Sequence, residues 1–112
     1  MSKVLDSLRV VEIGGLGPGP FCAMHLADLG ADVVKVERAG QGDLSRYLYL
    51  TDTKIGGEST IFHAINRNKR SVTLDLQSPE GLKIIQALMP GIDVVIHNFK
   101  TGGAEKLGLG YE

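Results

Sequence analysis

Short apolar runs separated by glycine-rich turns organise the first third of the chain. The segment LRVVEI, residues 8–13, is rich in β-branched residues and stops at Gly14, which predicts a buried strand. From Gly19 to Gly30 the apolar positions follow a helical period, and ADVVKVE, residues 31–37, predicts a second strand. A strand, a helix and a strand joined by short turns form a βαβ unit, which is parallel and right-handed in nearly all known cases.

The same alternation of strand and helix returns after a long irregular segment. Residues 39–60 lack sustained periodicity and predict a surface excursion, at whose end STIFHAINRN predicts a short helix. SVTLDL, residues 71–76, predicts a third strand, DVVIHNF predicts a fourth, and GGAEKLGL predicts a further short helix. Between the two strands, Ser78 as N-cap and Pro79 at the first helical position predict the start of a longer helix. Its apolar positions share one face: Leu82, Ile85, Leu88 and Met89.

This order of elements predicts an α/β fold, as one domain over residues 1–112. The expected architecture is a partial Rossmann-like open parallel sheet of about four strands with flanking helices. A length of 112 residues, 43% hydrophobic and 22% charged, is ordinary for a single globular domain. In this fold class ligands bind beyond the carboxyl ends of the strands, so the residues that follow each strand are the candidates for a site.

Composition removes several classes of function. A net charge of −1 gives no basic field that would indicate nucleic acid or an anionic membrane as a partner. No apolar run approaches the roughly 20 residues that span a bilayer, and no leader pattern is visible, so we expect a cytoplasmic protein. Cys22 is the only cysteine, which excludes an intramolecular disulfide, and His63 and His97 lack a third ligand, so no metal site is expected.

The loop GGLGPGPFCA, which follows the first predicted strand, resembles a dinucleotide fingerprint only in part. Gly15 and Gly17 supply the first two glycines, and Glu37 stands where the acidic ribose partner is expected. Pro20 replaces the third glycine, and prolines lack the amide donors that a pyrophosphate would need. The pattern therefore disfavours NAD and favours a turn that needs glycine for its backbone geometry and close packing.

Basic side chains lie at the ends of several predicted strands. Arg38 follows the second strand and Lys100 follows the fourth, so both belong to the ligand edge of a parallel sheet. The cluster NRNKRS places Lys69 and Arg70 just before the third strand, where they could hold a phosphate-bearing ligand. A surface salt bridge for Arg38 and a solvated charge run for the cluster are the alternatives that composition leaves open.

Several segments resemble, in order, the N-terminal part of the family III CoA-transferases, a CaiB/BaiF-like superfamily. They are LRVVEIGGLGPGPFCAMHLADLGADVVKVER, GDLSR, NRNKRSVTLDLQSPEG, DVVIHNFKTGG and EKLGLGYE. The superfamily includes carnitine and bile-acid CoA-transferases, formyl-CoA transferase and α-methylacyl-CoA racemase. The segment GLGPGPFCAM is similar to the racemase-like form, because the formyl-CoA transferase form carries polar residues in place of Gly15 and Gly17. The segments GDLSR, NRNKRSVTLDL and SPEG fit the transferases equally well, so the resemblance leaves both branches open.

The resemblance implies coenzyme A or an acyl-CoA as the ligand. Arg38 matches a residue that packs against the adenine, and Lys69 matches one that holds the 3′-phosphate. Lys100 stands where the family has an arginine near the nucleotide, and the loop at Leu16 matches the one near the thioester. The expected coenzyme-binding residues are Leu16, Gly17, Pro18, Arg38, Lys69, Arg70 and Lys100.

No residue of this chain matches the catalytic groups of the family. The aspartate nucleophile of the transferases and the acid–base pair of the racemases lie further along than residue 112, so we expect no catalytic residue here and no activity from this chain alone. The expected partners are an acyl-CoA and either a second copy of the chain or a C-terminal half. A non-catalytic homo-oligomeric binding or assembly module derived from the same fold is the alternative.

Overall fold

The computed structural model describes residues 2–48 and 54–111 and contains a sheet of four parallel strands. Its strands and helices, in chain order, are β1 (Arg9–Ile13), α1 (Pro18–Asp28), β2 (Asp32–Arg38), β3 (Lys54–Ile55), β4 (Glu58–Ser59), α2 (Thr60–Ile65), β5 (Lys69–Leu74), α3 (Pro79–Leu88), β6 (Val94–His97) and α4 (Gly103–Lys106). The α/β class and the four-stranded parallel sheet with flanking helices are as predicted.

The spatial order of the main sheet is β5-β2-β1-β6. The chain runs outward from β1 through β2 to β5, and α3 then returns it to β6 on the other side of β1. This reversal of direction is the point at which doubly wound sheets bind ligands, in the crevice beyond the carboxyl ends of the strands. Gly14, at the end of β1, has a φ of 117°, and a Cβ there would collide with the Asn98 carboxamide beyond β6. The two strand ends therefore approach closely at the crevice.

Each face of the sheet has its own apolar core. On one face, Val10 of β1 and Val33 of β2 pack against Ala23 and Ala27 of α1. Because these helical residues are small, α1 lies close to the sheet, while Phe21 on its other side is 51% exposed. On the opposite face, Val11 packs in a second core whose other buried members are Ile13, Val36, Leu74 and Ile85.

Helix α3 begins as its sequence predicts. The Ser78 hydroxyl accepts a hydrogen bond from the Gly81 amide at 3.0 Å, and Pro79 opens the helix. Ile85 is fully buried and Leu82 packs beside it, whereas Leu88, which was expected on the same face, is exposed.

One predicted boundary and the description of one predicted segment need correction, and both matter for the site. The third predicted strand begins at Lys69 rather than Ser71, because Lys69 and Arg70 pair in register with Val33 and Val34 of β2. The predicted excursion contains a 3₁₀ turn, Leu44–Tyr47, and the hairpin of β3 and β4, which pair antiparallel. Residues 49–53 of that excursion lie outside the described residues. None of the described helices has the length and apolar character that a membrane span requires.

Candidate functional site

A cleft of about 590 Å³ opens at the carboxyl ends of the four parallel strands. Its volume falls within the range of small-molecule sites in proteins. Apart from Leu107, which follows α4, its lining comes from the end of each strand and the segment that follows it: Ile13, Gly14, Gly15, Leu16, Val36, Glu37, Arg38, Gly42, Asp43, Leu44, Leu74, Asp75, Leu76, Gln77, Asn98 and Phe99. The cleft therefore occupies the position at which this fold class binds ligands.

Arg38 supplies the cation of the cleft. It is the last residue of β2 and is exposed, and its side chain forms no hydrogen bond or ion pair with any residue in the two described ranges. The adjacent Glu37 points to the opposite face of the sheet, where its carboxylate pairs with Arg46 at 2.6 Å. The Arg38 guanidinium is thus available to an anionic or planar ligand.

Apolar side chains form the walls of the cleft, and the sequence analysis missed them. Leu74 is the last residue of β5, Leu76 lies just beyond it, and Phe99 follows β6. The polar side chains of Gln77 and Asn98 lie beside them. The rule that identifies Arg38 also identifies these residues, because each lies at or just beyond the carboxyl end of a parallel strand. An apolar wall beside a cation suits a ligand with a flat ring and a phosphate.

Leu16 of the glycine loop lines the cleft and also a second, apolar groove of about 560 Å³. Gly17 and Pro18 line only the groove, together with Phe21, Leu48, Ile61 and Ile65. The φ of Leu16 is 71°, in the left-handed region, and its amide donates to Asp43 Oδ1 at 3.0 Å. The loop at residues 14–18 therefore separates two neighbouring concavities.

Lys69 lies beneath α1 rather than in the cleft. Its ammonium contacts Glu12 Oε2 at 2.8 Å, the Pro20 carbonyl at 2.9 Å and Asn66 Oδ1 at 2.8 Å, and its side chain is 2% exposed. Burial lowers the pKa of Lys69 from its ordinary value, although the Glu12 carboxylate favours the charged form. The early start of β5 explains this position, because Lys69 becomes a strand residue that faces α1.

The other two predicted cations lie apart from the cleft lining. Arg70, at the amino end of β5, pairs with Asp32 at 2.7 Å across an exposed surface. Lys100 is exposed, three residues beyond the end of β6. Of the seven expected binding residues, the structure brings only Leu16 and Arg38 together in the cleft.

A compact ion network lies under the amino end of α1. Lys35 contacts Glu12 Oε1 at 2.9 Å and Asp43 Oδ2 at 2.7 Å, and all three side chains are at most 1% exposed. Burial raises the pKa of the Asp43 carboxyl, but hydrogen bonds from Lys35, Leu16 and Ser45 outweigh it and hold that pKa below its ordinary value. Together with Lys69, the network balances two carboxylates with two ammonium groups.

A family model described as CoA-transferase family III matches residues 5–112, almost the whole chain. The chain belongs to CoA-transferase family III.

Curated family III relatives share about two fifths of their residues with the chain. The succinyl-CoA:D-citramalate CoA-transferase of Chloroflexus aurantiacus is 44% identical over 110 residues, which are 98% of this chain and 27% of that enzyme. The human succinyl-CoA:glutarate CoA-transferase is 40% identical over 98% of this chain and 25% of its own length. The formyl-CoA:oxalate CoA-transferase of Rhodopseudomonas palustris is 40% identical over the whole chain and 26% of its own. The chain spans about a quarter of the length of these relatives.

Solved structures of similar sequence agree with the fold. A CaiB/BaiF family protein from Brucella suis superposes with a TM-score of 0.90 and 42% identity, over 99% of this chain and 30% of that one. A protein of Mycobacterium tuberculosis superposes with a TM-score of 0.85 and 38% identity, over 97% of this chain and 29% of that one. The racemase-like character of the glycine loop stays a prediction.

The GDLSR segment of this family III chain ties the excursion to the sheet. Arg46 pairs with Glu37 and Glu58, and its guanidinium lies 3.8 Å from the centre of the Phe62 ring. Burial raises the pKa of Glu37, but hydrogen bonds from Arg46, the Asp43 amide and Ser71 outweigh it and lower that pKa overall. Within residues 2–48 and 54–111, no cluster of three or more potential metal ligands occurs.

Proposed function

We propose that this chain binds coenzyme A or an acyl-CoA in the cleft at the carboxyl ends of its strands. The observation that carries the proposal is the Arg38 guanidinium, which has no partner among the described residues and lies beside apolar walls, in a chain that belongs to a family of CoA-transferases. A planar guanidinium can stack on adenine or donate to a phosphate, and the leucine side chains of the wall can pack against the ring.

The other end of the ligand lies at the glycine loop in this proposal. Leu16 lines both the cleft and the apolar groove, so a ligand whose nucleotide lies by Arg38 can extend past Leu16 towards Gly17 and Pro18. Coenzyme A has this elongated shape, and its thioester end lies at the loop in the proposed orientation. Lys69 could meet a phosphate only by exchanging its contact with Glu12 for the ligand.

The reaction proposed for the whole protein is transfer of CoA between carboxylic acids, because the relatives are named for such transfers. Racemisation of a 2-methylacyl-CoA is the other branch that the glycine loop suggests. In either case residues 1–112 contribute ligand binding and no catalytic group, so we expect the chain alone to turn over no acyl-CoA.

Isothermal titration calorimetry with CoA tests the binding proposal. Arg38→Ala should weaken binding about 10- to 100-fold, since a hydrogen bond to a charged group contributes roughly 1.5–3 kcal/mol. Arg9→Ala is the matched control, because Arg9 is an exposed arginine at the amino end of β1 and therefore at the opposite edge of the sheet. Absence of heat with wild-type chain, or equal affinity in Arg38→Ala and wild type, would contradict the proposal.

A second candidate function is self-association through the apolar groove. Phe21 is 51% exposed at this groove, and Leu16 and Leu48 are also exposed there. A second copy covering the groove would remove this surface from water. Sedimentation velocity should detect a dimer that Phe21→Glu dissociates and that Val4→Glu, at a second exposed apolar position, leaves intact. A monomeric wild-type chain would refute this candidate.

A further inference from the structure

The loop at residues 14–18 has a shape that its own residues disfavour. Leu16 adopts a φ of 71°, and the left-handed region costs a residue with a side chain roughly 1–2 kcal/mol. Pro18, at the end of the loop, has no amide to donate to a hydrogen bond within it. Two contacts from outside the loop hold this conformation: the Asn98 carboxamide donates to the Gly15 carbonyl at 3.2 Å, and Asp43 accepts from the amide of Leu16 itself.

We propose that Asp43 is a positioning residue for the coenzyme site, whose buried carboxylate fixes the loop at residues 14–18 through the amide of Leu16. Asp43 Oδ1 accepts from that amide at 3.0 Å and from the Ser45 amide at 2.8 Å. The carboxylate also lies against the neighbouring residue, since a Cβ at Gly15 would stand 2.7 Å from Oδ1. The functional part of this proposal rests on the proposed binding of CoA in the cleft.

The remaining contacts of Asp43 show why it acts through the loop instead of touching the ligand. Its second oxygen, Oδ2, pairs with Lys35 at 2.7 Å, and its own amide donates to Glu37 Oε2 at 3.1 Å. Because Oδ2 faces the Lys35 ammonium and the residue is only 4% exposed, a ligand in the cleft has little access to this carboxylate. Lys35 is in turn fixed by Glu12, so the carboxylate has a rigid base within the sheet.

The position of Leu16 connects this contact to binding. Leu16 is the residue that lines both the cleft beside Arg38 and the apolar groove beside Phe21. If the Leu16 amide no longer donates to Asp43, the left-handed conformation of Leu16 loses this stabilising hydrogen bond. The loop at residues 14–18, which separates the cleft from the groove, then changes shape. A ligand that extends along both then loses affinity, although no residue that it contacts has been replaced.

The experiment compares two substitutions at Asp43 in the 112-residue chain. Asp43→Ala removes the acceptor, whereas Asp43→Asn keeps a carboxamide oxygen for the two amides and removes the charge that Lys35 needs. Asp93→Ala is the matched control, because Asp93 Oδ2 also accepts from a backbone amide, that of Arg9 at 2.8 Å, but at the amino end of the sheet. Each variant is measured by urea unfolding, by amide hydrogen exchange of Leu16 in ¹H–¹⁵N spectra, and by calorimetry with CoA.

We expect Asp43→Ala to remove the protection of the Leu16 amide and to weaken CoA binding at least tenfold, which corresponds to about 1.4 kcal/mol. Asp43→Asn should lose stability, because Lys35 loses a partner, yet keep the Leu16 protection and an affinity within about threefold of wild type. If Asp43 had a purely structural role, the loss of CoA affinity would instead follow the loss of folding stability in both Asp43→Ala and Asp43→Asn. That result, or a Leu16 amide that stays protected in folded Asp43→Ala, would overturn the proposal.

A substitute variant, Gly15→Ala, covers the case in which Asp43→Ala does not fold, and hydrogen exchange covers the case in which CoA does not bind. If Asp43→Ala does not fold, Gly15→Ala displaces the carboxylate from the loop without changing any charge, and it should remove the Leu16 protection and weaken CoA binding at least tenfold. Unchanged protection in Gly15→Ala would overturn the proposal. If the wild-type chain does not bind CoA, the proposed function fails, and the exchange of the Leu16 amide still decides whether Asp43 positions the loop.

Discussion

Replacing Lys69 by methionine removes one charge from the ion network while keeping most of the apolar stem of the side chain. Three acceptors lose their partner: Glu12 Oε2, the Pro20 carbonyl and Asn66 Oδ1. Removing one member of a buried ion pair typically costs about 3–5 kcal/mol, because the other charge remains buried without compensation. For a domain whose stability is about 5–15 kcal/mol, this loss is a large part of the total.

The neighbouring residue in the same strand provides a matched control. Arg70 also pairs with a carboxylate, at 2.7 Å from Asp32, but its side chain is 69% exposed. Exposed ion pairs contribute at most about 1 kcal/mol, so Arg70→Met should change the free energy of unfolding only slightly. The two substitutions differ mainly in the burial of the pair that they break.

Urea unfolding followed by circular dichroism measures both variants, and a third variant isolates the pair itself. In the double variant Glu12→Gln with Lys69→Met, one Lys35–Asp43 pair remains and no charge is left uncompensated. The free energy of unfolding of the double variant should therefore fall by at least about 1 kcal/mol less than the sum of the losses in Glu12→Gln alone and Lys69→Met alone. If Lys69→Met costs no more than Arg70→Met, the internal contacts of Lys69 are weak. The ammonium would then be free to hold the 3′-phosphate, as the family resemblance implies.

Three other measurements test separate parts of the structure. The pKa values of Asp43 and Glu37 are lowered in the fold, so these carboxylates stabilise the folded state fully above about pH 4.3, and this contribution is lost as the pH falls through their folded pKa values. The urea midpoint should therefore decrease steadily below that pH. A constant midpoint down to pH 3 would contradict the assignment. Gly14→Ala should destabilise the fold by about 2 kcal/mol, because it adds to the strain of a positive φ the displacement of the Asn98 carboxamide, which donates to the Gly15 carbonyl. Gly40→Ala, where the φ is also positive but the space is open, should cost only the strain of about 1 kcal/mol. Equal losses in thermal unfolding would argue against a contribution from the Asn98 contact. Ser78→Ala should cost about 1 kcal/mol by removing the N-cap of α3, and an unchanged melting temperature would show that the cap contributes nothing.

The elements that the sequence predicts well are those whose local signals agree with the fold. The run at residues 8–13, the glycine at its end and the Ser78 cap are local features, and each appears where it is expected. Arg38 follows from the same logic, since the end of a parallel strand faces the ligand edge whatever its neighbours are. Recognition of the family likewise depends on short segments in a fixed order.

The role of Lys69 could not be predicted because it depends on a register between distant segments. Its strand begins two residues earlier than the apolar pattern suggests, and only that pairing turns its side chain towards Glu12. Asp43 lies in a segment without periodicity, so nothing local indicates that its carboxylate reaches the amide of Leu16. Charged residues in a sheet look like surface residues until a partner on another element is known.

The balance of charges beneath α1 also restricts how the sequence can change over time. Replacing any one of Glu12, Lys35, Asp43 and Lys69 by a neutral residue leaves a net charge in a region that water does not reach. Viable substitutions should therefore arise in pairs of opposite sign, so that two members disappear together or none does. Among homologous chains, we expect the four positions to be inherited as a linked set, with intermediates that carry three of them being rare.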